Sequence, residues 1–456
     1  MSREWGSKDG FCQPEGESLP VFFRQAGDLT LFYAPGYLAA AGPKEAAEIL
    51  AILSGEIPFG NRTAHYLLQA ALSAQDEWRR MHDADLYRPT CLMLYTSLAC
   101  SLNCTYCFAE QHHDTGLQLS EELILHAARE VLANCAEKAL PFTVVFHGGG
   151  EPSLDPRLPA LLTELRTLSE RERLPFVSYI ATNGVMGPEK ARWIAENFSG
   201  IGLSVDGPPD IQDPQRPLRS GCGSSGIVER TAAVFREIQG HLTVRVTVMP
   251  ENFRRIPEIA AWCREKLGAD EIRMEPVYHR GTDEDLAEEF CTYFLQASRA
   301  AEDPGSGGMS VEGGKSRRRT KLSCSTVRIH EIHGRYCQIF RQVLHLVPPA
   351  GRSACFLISS QTEARGKKLD RPADKAVFDR LAREDPACEH CFNRFHCARG
   401  CPDVCPASDD GFRDAGSFRC RVSRTLAEAE LLRTAERLLF EPARKYGCAG
   451  IKIREG

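Results

Sequence analysis

Cys100, Cys104 and Cys107 lie in one short run, Ala-Cys-Ser-Leu-Asn-Cys-Thr-Tyr-Cys-Phe, with the spacing C-x3-C-x2-C. Three thiolates this close can hold three irons of a 4Fe–4S cube and leave the fourth iron without a protein ligand. An open iron binds a small molecule, so such a site does chemistry as well as carrying electrons. A zinc site is the rival reading. Closed structural zinc takes four protein ligands, commonly as paired C-x2–4-C units, and a lone triplet fits that poorly. Chance clustering is the third reading, since cysteine is a common core residue.

A chain of 456 residues implies roughly two to four domains. Hydrophobic residues make up 43%, enough for sizeable cores. The formal charge of −5 and isoelectric point of about 6.3 give no global basic field, so no nucleic-acid partner is expected. The basic run Arg317-Arg318-Arg319 sits in a glycine-rich stretch and reads as a solvated loop. The first residues lack an apolar signal region, and no stretch approaches the roughly 18 apolar residues that span a bilayer. The expectation is a soluble cytoplasmic protein with no membrane partner. Nineteen cysteines in such a chain argue for metal or cluster ligation rather than disulfides. The isolated ones (Cys12, Cys135, Cys222, Cys263, Cys291 and Cys448) read as packing residues or free thiols.

From Cys91 onward, apolar β-branched runs alternate with amphipathic segments. The strand candidates are 91–98, 143–146, 176–181, 201–205, 242–248 and 271–277. The helix candidates are 120–139, 157–169, 189–197, 226–239 and 256–267. Strand then helix, repeated, implies parallel strands joined by right-handed crossovers, with functional loops at the carboxyl ends of the strands. Residues 1–90 form an amino-terminal extension, with a hairpin over 21–33 and helices near 43–53 and 63–81. Residues 91–285 form the α/β unit, 286–330 a flexible linker, and 331–456 a cysteine-dense region ending in a helix over about 423–446.

The cysteine loop, with Tyr106 before its last cysteine, resembles that of the radical S-adenosylmethionine (radical SAM) superfamily. The resemblance implies an α/β fold built on a partial (β/α)6 TIM-type barrel. It also implies a 4Fe–4S cluster whose open iron chelates S-adenosylmethionine and supplies the electron that yields a 5′-deoxyadenosyl radical. His147-Gly148-Gly149-Gly150-Glu151-Pro152 follows the second strand, about forty residues after the cysteines. Glycines let backbone approach a ligand closely, and a carboxylate pairs with an ammonium. The run is similar to the family's Gly-Gly-Glu motif for the amino group of the cofactor, and alone it is an ordinary loop. Asn183 and Ser204, at the ends of the third and fourth strands, resemble residues lining the same pocket. For Asn183, capping of the next segment is an equal reading. Arg216 is a possible clamp for the methionine carboxylate, and Arg219 competes with it. Glu275 either touches substrate or forms a structural ion pair.

Cys388, Cys391, Cys397 and Cys401 spell C-x2-C-x5-C-x3-C, and Cys420 follows. Upstream, Cys337 begins a strand-like run that turns at Pro348-Pro349-Ala350-Gly351 and ends at Cys355. This resembles the SPASM extension of radical SAM enzymes, which carries two auxiliary 4Fe–4S clusters. The resemblance implies one cluster on Cys388, Cys391, Cys397 and Cys420, and another on Cys337, Cys355 and Cys401. For the latter a fourth ligand is open between Cys324, Cys405 and none. Gly351 stands one residue closer to the next cysteine than the family pattern has it. A structural zinc domain is the alternative for the segment.

The resemblance implies hydrogen abstraction from a peptide or protein, with a flavodoxin- or ferredoxin-type electron donor. The amino-terminal extension resembles a small winged-helix peptide-recognition module and favours a substrate with a leader sequence. The alternatives are a radical SAM enzyme acting on a small molecule or activating a partner enzyme, a non-catalytic iron–sulfur electron-transfer or sensor protein, and a zinc-stabilised scaffold.

Overall fold

Alternating inward and outward side chains shape the central sheet of this computed structural model. It describes residues 19–58, 60–83, 86–107, 109, 117–277, 284–302, 320–324, 329, 331–332, 342–348, 351–353, 388–397 and 416–440.

The amino-terminal unit has three antiparallel strands, β1 (Phe22–Ala26), β2 (Leu29–Ala34) and β3 (Tyr37–Ala41), in the order β1-β2-β3. Gly27 and Gly36 make the two turns at positive φ (62° and 88°), where a side chain is disfavoured. Helices α1 (Pro43–Leu53) and α2 (Arg62–Met81) follow. Asn61 caps α2 by accepting hydrogen bonds from the backbone of Thr63 and Ala64. The sequence indicates the hairpin and both helices. It does not indicate β3, whose run Tyr-Leu-Ala-Ala-Ala has no clear two-residue period.

The main unit contains β4 (Cys91–Leu94), α3 (Glu121–Lys138), β5 (Phe142–Phe146), α4 (Leu158–Arg171), β6 (Phe176–Thr182), α5 (Pro188–Asn197) and β7 (Gly200–Ser204). It continues through α6 (Pro209–Gln215), α7 (Ser225–Gln239), β8 (Thr243–Val248), α8 (Ile256–Trp262), β9 (Glu271–Pro276), α9 (Glu284–Glu302) and β10 (Lys321–Ser323). Strands β11 (Val343–Val347) and β12 (Gly351–Ser353) and helix α10 (Phe418–Phe440) complete the described elements. The sheet has nine strands in the order β10-β9-β8-β7-β6-β5-β4-β11-β12. Strands β4 to β9 are parallel neighbours in chain order, as expected from the sequence.

One face of each strand is apolar and carries the helices. Leu92, Leu94, Val144, Phe146, Leu203, Val244 and Val246 share a core with α3, α4 and α7. The alternate residues turn to the other face, where Met93, Tyr95, Leu98, Val343 and Val347 pack with Cys107. The result is an α/β unit whose run of parallel strands is extended at both edges by later segments. Four elements depart from expectation. Strand β10 adds parallel to β9, and β11 adds parallel to β4. The 286–330 linker instead begins as α9, because Ala287, Phe290, Cys291, Phe294, Ala297 and Ala301 are buried at helical spacing. The final helix begins earlier than expected, so Cys420 lies in its first turn.

The amino-terminal unit packs on the carboxyl-terminal region. Phe22, Leu31, Tyr33 and Leu38 share a cluster with Phe392, Ala427 and Leu431. Trp78 meets Phe395 edge-on at 5.6 Å, a geometry worth about 0.5–1.5 kcal/mol beyond its area burial. The buried Tyr33 hydroxyl pairs with His396 Nε2, and His396 Nδ1 pairs with the Glu331 carbonyl at 2.6 Å. Replacing Tyr33→Phe should leave His396 short of one buried partner and lower unfolding free energy by about 1–3 kcal/mol. Urea titration of the variant against wild type checks this; an unchanged midpoint would refute it.

Candidate functional site

The cysteine loop leaves the carboxyl end of β4 and is held on two sides. On one side the loop after β5 runs beside it: His147 N–H donates to Leu94 O (2.9 Å) and Glu151 N–H to Ala99 O (2.7 Å). A Cβ on Gly150 would stand 2.3 Å from Ala99 O and 2.5 Å from Leu98 C, so only glycine permits this approach. Gly149 holds φ of 137°, which also favours glycine. On the other side, residues 215–219 clasp the loop. Asn103 N–H donates to Pro217 O (2.9 Å), Thr105 N–H to Gln215 O (3.0 Å) and Arg219 N–H to Ser101 O (3.2 Å).

Asp206, fully buried, anchors this second side. Its Oδ2 accepts from Tyr106 Oη (2.6 Å) and Arg216 Nε (3.1 Å), and its Oδ1 from Thr247 N–H (3.1 Å). The Arg216 guanidinium stacks over the Tyr106 ring at 5.6 Å. Burial, opposed by Arg216 and reinforced by Asp206, holds the Tyr106 phenol well above its usual range, so it stays a donor. Sequence reasoning passed over Asp206; its signal was a carboxylate directly after a strand end and before Gly207. Of the two competing arginines, Arg216 is buried beside Cys104, and Arg219 is exposed.

The carboxylate of Glu151 is buried and ties two strand ends together. It accepts from Ser153 N–H (3.1 Å), Thr182 Oγ1 (2.7 Å) and Asn183 N–H (2.7 Å). Asn183 in turn donates from Nδ2 to Ser101 Oγ (3.1 Å), with Cys100 Sγ at 3.8 Å, while its Oδ1 accepts from Val185 N–H (2.8 Å). Asn183 therefore caps its own turn and also faces the cysteine loop. Ser204 ends β7 on the inward face, half-buried. Glu275 accepts from Cys324 Sγ at 3.5 Å.

The residues present fit an iron–sulfur cube. Cys100, Cys104 and Cys107 are each half-buried and feel one another's charge. Burial raises the Cys100 thiol and pushes Cys104 up to about 12, the latter opposed by Arg216; a metal ligand must lose that proton. In a cube each thiolate holds a different iron, so the sulfurs need not converge on one point. Among the described residues no three His, Cys, Asp or Glu side chains converge as they would around a single ion.

In the carboxyl-terminal region, a turn joins Cys388 and Cys391 (Cys391 N–H to Cys388 O, 3.1 Å), and Cys420 feels the charge of both Cys397 and Cys391. Burial pushes Cys420 up to about 11. Cys337, Cys355, Cys401 and Cys405 lie outside the described residues.

Residues 94–263 match the family model described as the radical SAM superfamily. A cysteine-type anaerobic sulfatase-maturating enzyme of Clostridium perfringens is 26% identical over 185 residues, 37% of this chain and 47% of the relative. A second from the same species is 27% identical over 180 residues, with the same coverage. The chain thus spans about half the length of the curated relatives it matches. Among solved structures, native anSMEcpe with bound AdoMet and Cp18Cys peptide aligns at TM-score 0.55 and 18% identity, covering 76% of this chain and 99% of that one. Native anSMEcpe with bound AdoMet alone aligns at TM-score 0.55 and 18% identity, covering 76% and 100%. These structures share the fold.

Fold and cysteine loop together define a radical SAM domain. Residues 94–263 are similar to the radical SAM superfamily, and the chain is similar in part to the anaerobic sulfatase-maturating enzymes.

Asp206→Asn should leave Arg216 buried without its counter-charge, at a cost of about 3–5 kcal/mol. Chemical denaturation should register the drop, and the variant should retain less iron after anaerobic reconstitution. Full stability with full iron content would remove Asp206 from its anchoring role.

Proposed function

We propose that this chain is a radical SAM enzyme that modifies a peptide or protein, most simply a ribosomally made precursor. The observation that carries the reading is the meeting of three segments on one loop: the Gly149-Gly150-Glu151 turn, Asn183 after β6, and residues 215–219 all hold the cysteine triplet at the strand ends. An iron–sulfur carrier without turnover needs the cysteines alone; it has no use for a glycine turn and an inward-facing polar wall beside them.

When bound, the 4Fe–4S cube supplies the electron that splits S-adenosylmethionine and so generates the hydrogen-abstracting 5′-deoxyadenosyl radical. Cys100, Cys104 and Cys107 would hold it. The backbone at Gly149 and Gly150, with Glu151, would receive the methionine amino group; Glu151 Oε2 carries a single hydrogen bond and keeps acceptor capacity. Arg216 is the guanidinium beside Cys104 and would meet the methionine carboxylate while Asp206 fixes its orientation. Ser204 would face the ribose. Met93, Tyr95, Leu98, Val343 and Val347 give the inward face an apolar wall that excludes water from a reactive carbon centre.

Cys388, Cys391, Cys397 and Cys420 would hold one auxiliary cluster, supported by the proximity of Cys420 to Cys391 and Cys397. A second would rest on Cys337, Cys355 and Cys401. A flavodoxin- or ferredoxin-type protein would deliver the electron. A peptide substrate is supported by the relationship to sulfatase-maturating enzymes and by an anSMEcpe structure that holds a bound peptide. Strand β3 is an edge of the amino-terminal sheet, where an extended leader can add as a further strand. A tethered leader raises the effective concentration of the segment to be modified.

Anaerobically reconstituted protein, reduced with dithionite in the presence of S-adenosylmethionine, should form 5′-deoxyadenosine. Replacing Cys100, Cys104 and Cys107 together by alanine should abolish that product while iron bound elsewhere remains. An intact cluster without 5′-deoxyadenosine in wild type would favour the non-catalytic carrier instead.

A further inference from the structure

Among the described residues, the inward face of the sheet carries several charges, most of them matched. Asp206 holds Arg216. Arg273 reaches both oxygens of Glu271, through Nε and Nη2 at 3.2 Å each. Glu275 lies against Cys324 and in the field of Arg273. Arg245, half-buried in the middle of β8, has no carboxylate within ion-pair distance among the described residues. Its Nη1 instead stands 3.4 Å from His147 Nε2.

His147 belongs to a row of rings. Tyr95 lies 5.5 Å from it and 6.1 Å from His345, with the Tyr95 and His345 planes only 21° apart. His345 is 3% exposed, and neither of its ring nitrogens has a hydrogen-bond partner among the described residues. It alternates along β11 with Leu344 and Leu346, which join the helix-covered core, so it points to the inward face. Burial pushes His345 down to about 4; burial, then Arg245, then His345 push His147 down to about 3. Near neutral pH both rings are uncharged, and each has one N–H to donate.

Among the described residues, a guanidinium without a carboxylate partner stands beside His147, in a ring row that runs through Tyr95 to His345 with both its nitrogens unpartnered; this is a costly arrangement for a chain to keep empty. Planar guanidinium matches carboxylate geometry in two parallel hydrogen bonds, and a neutral imidazole supplies a further donor. We propose that Arg245, His147 and His345 form a subsite for a carboxylate of the substrate: an acidic side chain, or a carboxyl terminus, beside the residue under attack. This rests on the function proposed above and adds the substrate class. The methionine carboxylate is the less suited occupant. It must chelate at the cysteine loop, where the guanidinium acting on Cys104 is Arg216. Arg245 instead reaches His147, whose ring neighbours Tyr95 of the Val343–Val347 cluster.

The test uses the reconstituted holoenzyme with S-adenosylmethionine present and two capped tripeptides, acetyl-Gly-Glu-Gly-amide and acetyl-Gly-Gln-Gly-amide. Calorimetric titration should show the glutamate peptide binding about tenfold more tightly. That preference should vanish in Arg245→Gln and return in part in Arg245→Lys, with circular dichroism reporting that both variants are folded. Equal affinities in wild type, or no binding of either peptide, would overturn the proposal. So would a loss of S-adenosylmethionine affinity in Arg245→Gln with the peptide preference intact, since the guanidinium then serves the cofactor. Failure of the underlying function reads out separately, as absence of 5′-deoxyadenosine from the same wild-type sample.

Discussion

A single buried carboxylate, Asp206, ties one side of the cysteine loop to the sheet. Loops after strands are the least constrained part of an α/β unit, yet three sulfurs must be presented together. Asp206 joins Tyr106 within the loop, Arg216 in the clasp and the backbone of β8. It thereby converts an irregular run into an extension of the sheet. Burying an ion pair is not in itself stabilising, because desolvation offsets much of the attraction. What the pair supplies here is placement, with an aromatic ring locked between charge and loop.

The two edges of the parallel sheet are extended by later segments. Strand β10 comes after α9, and β11 comes from the region that leads into the carboxyl-terminal cysteines. The inward face is therefore assembled from residues far apart in the chain, with His345 of β11 beside Tyr95 after β4. Strand β11 adds directly to β4, and the ring row runs across that pairing.

Local pattern made the six-strand repeat legible, along with most of the helices between. Val144, Phe146, Leu203 and Val244 alternate against helix faces whose apolar spacing is equally plain. The cysteine triplet and the glycine turn were legible because their spacing is short. Asp206 was not, because its partners Tyr106, Arg216 and Thr247 are set by tertiary placement. Helix α9 was hidden by the glycine-rich run after it, although Phe290, Phe294 and Ala297 carry its buried stripe. Strands β10 and β11 pair with distant segments, and parallel pairing of that kind leaves no short-range signature.

The contact of Tyr33 with His396 places the amino-terminal unit directly upon the turn that bears Cys391 and Cys397. Its helix α2 adds Trp78 against Phe395 in the same turn. Any replacement of the amino-terminal unit thus also exchanges the packing partners of that cysteine-bearing turn. The two units are coupled through one hydroxyl and one indole, so neither surface diverges freely without its counterpart changing in step.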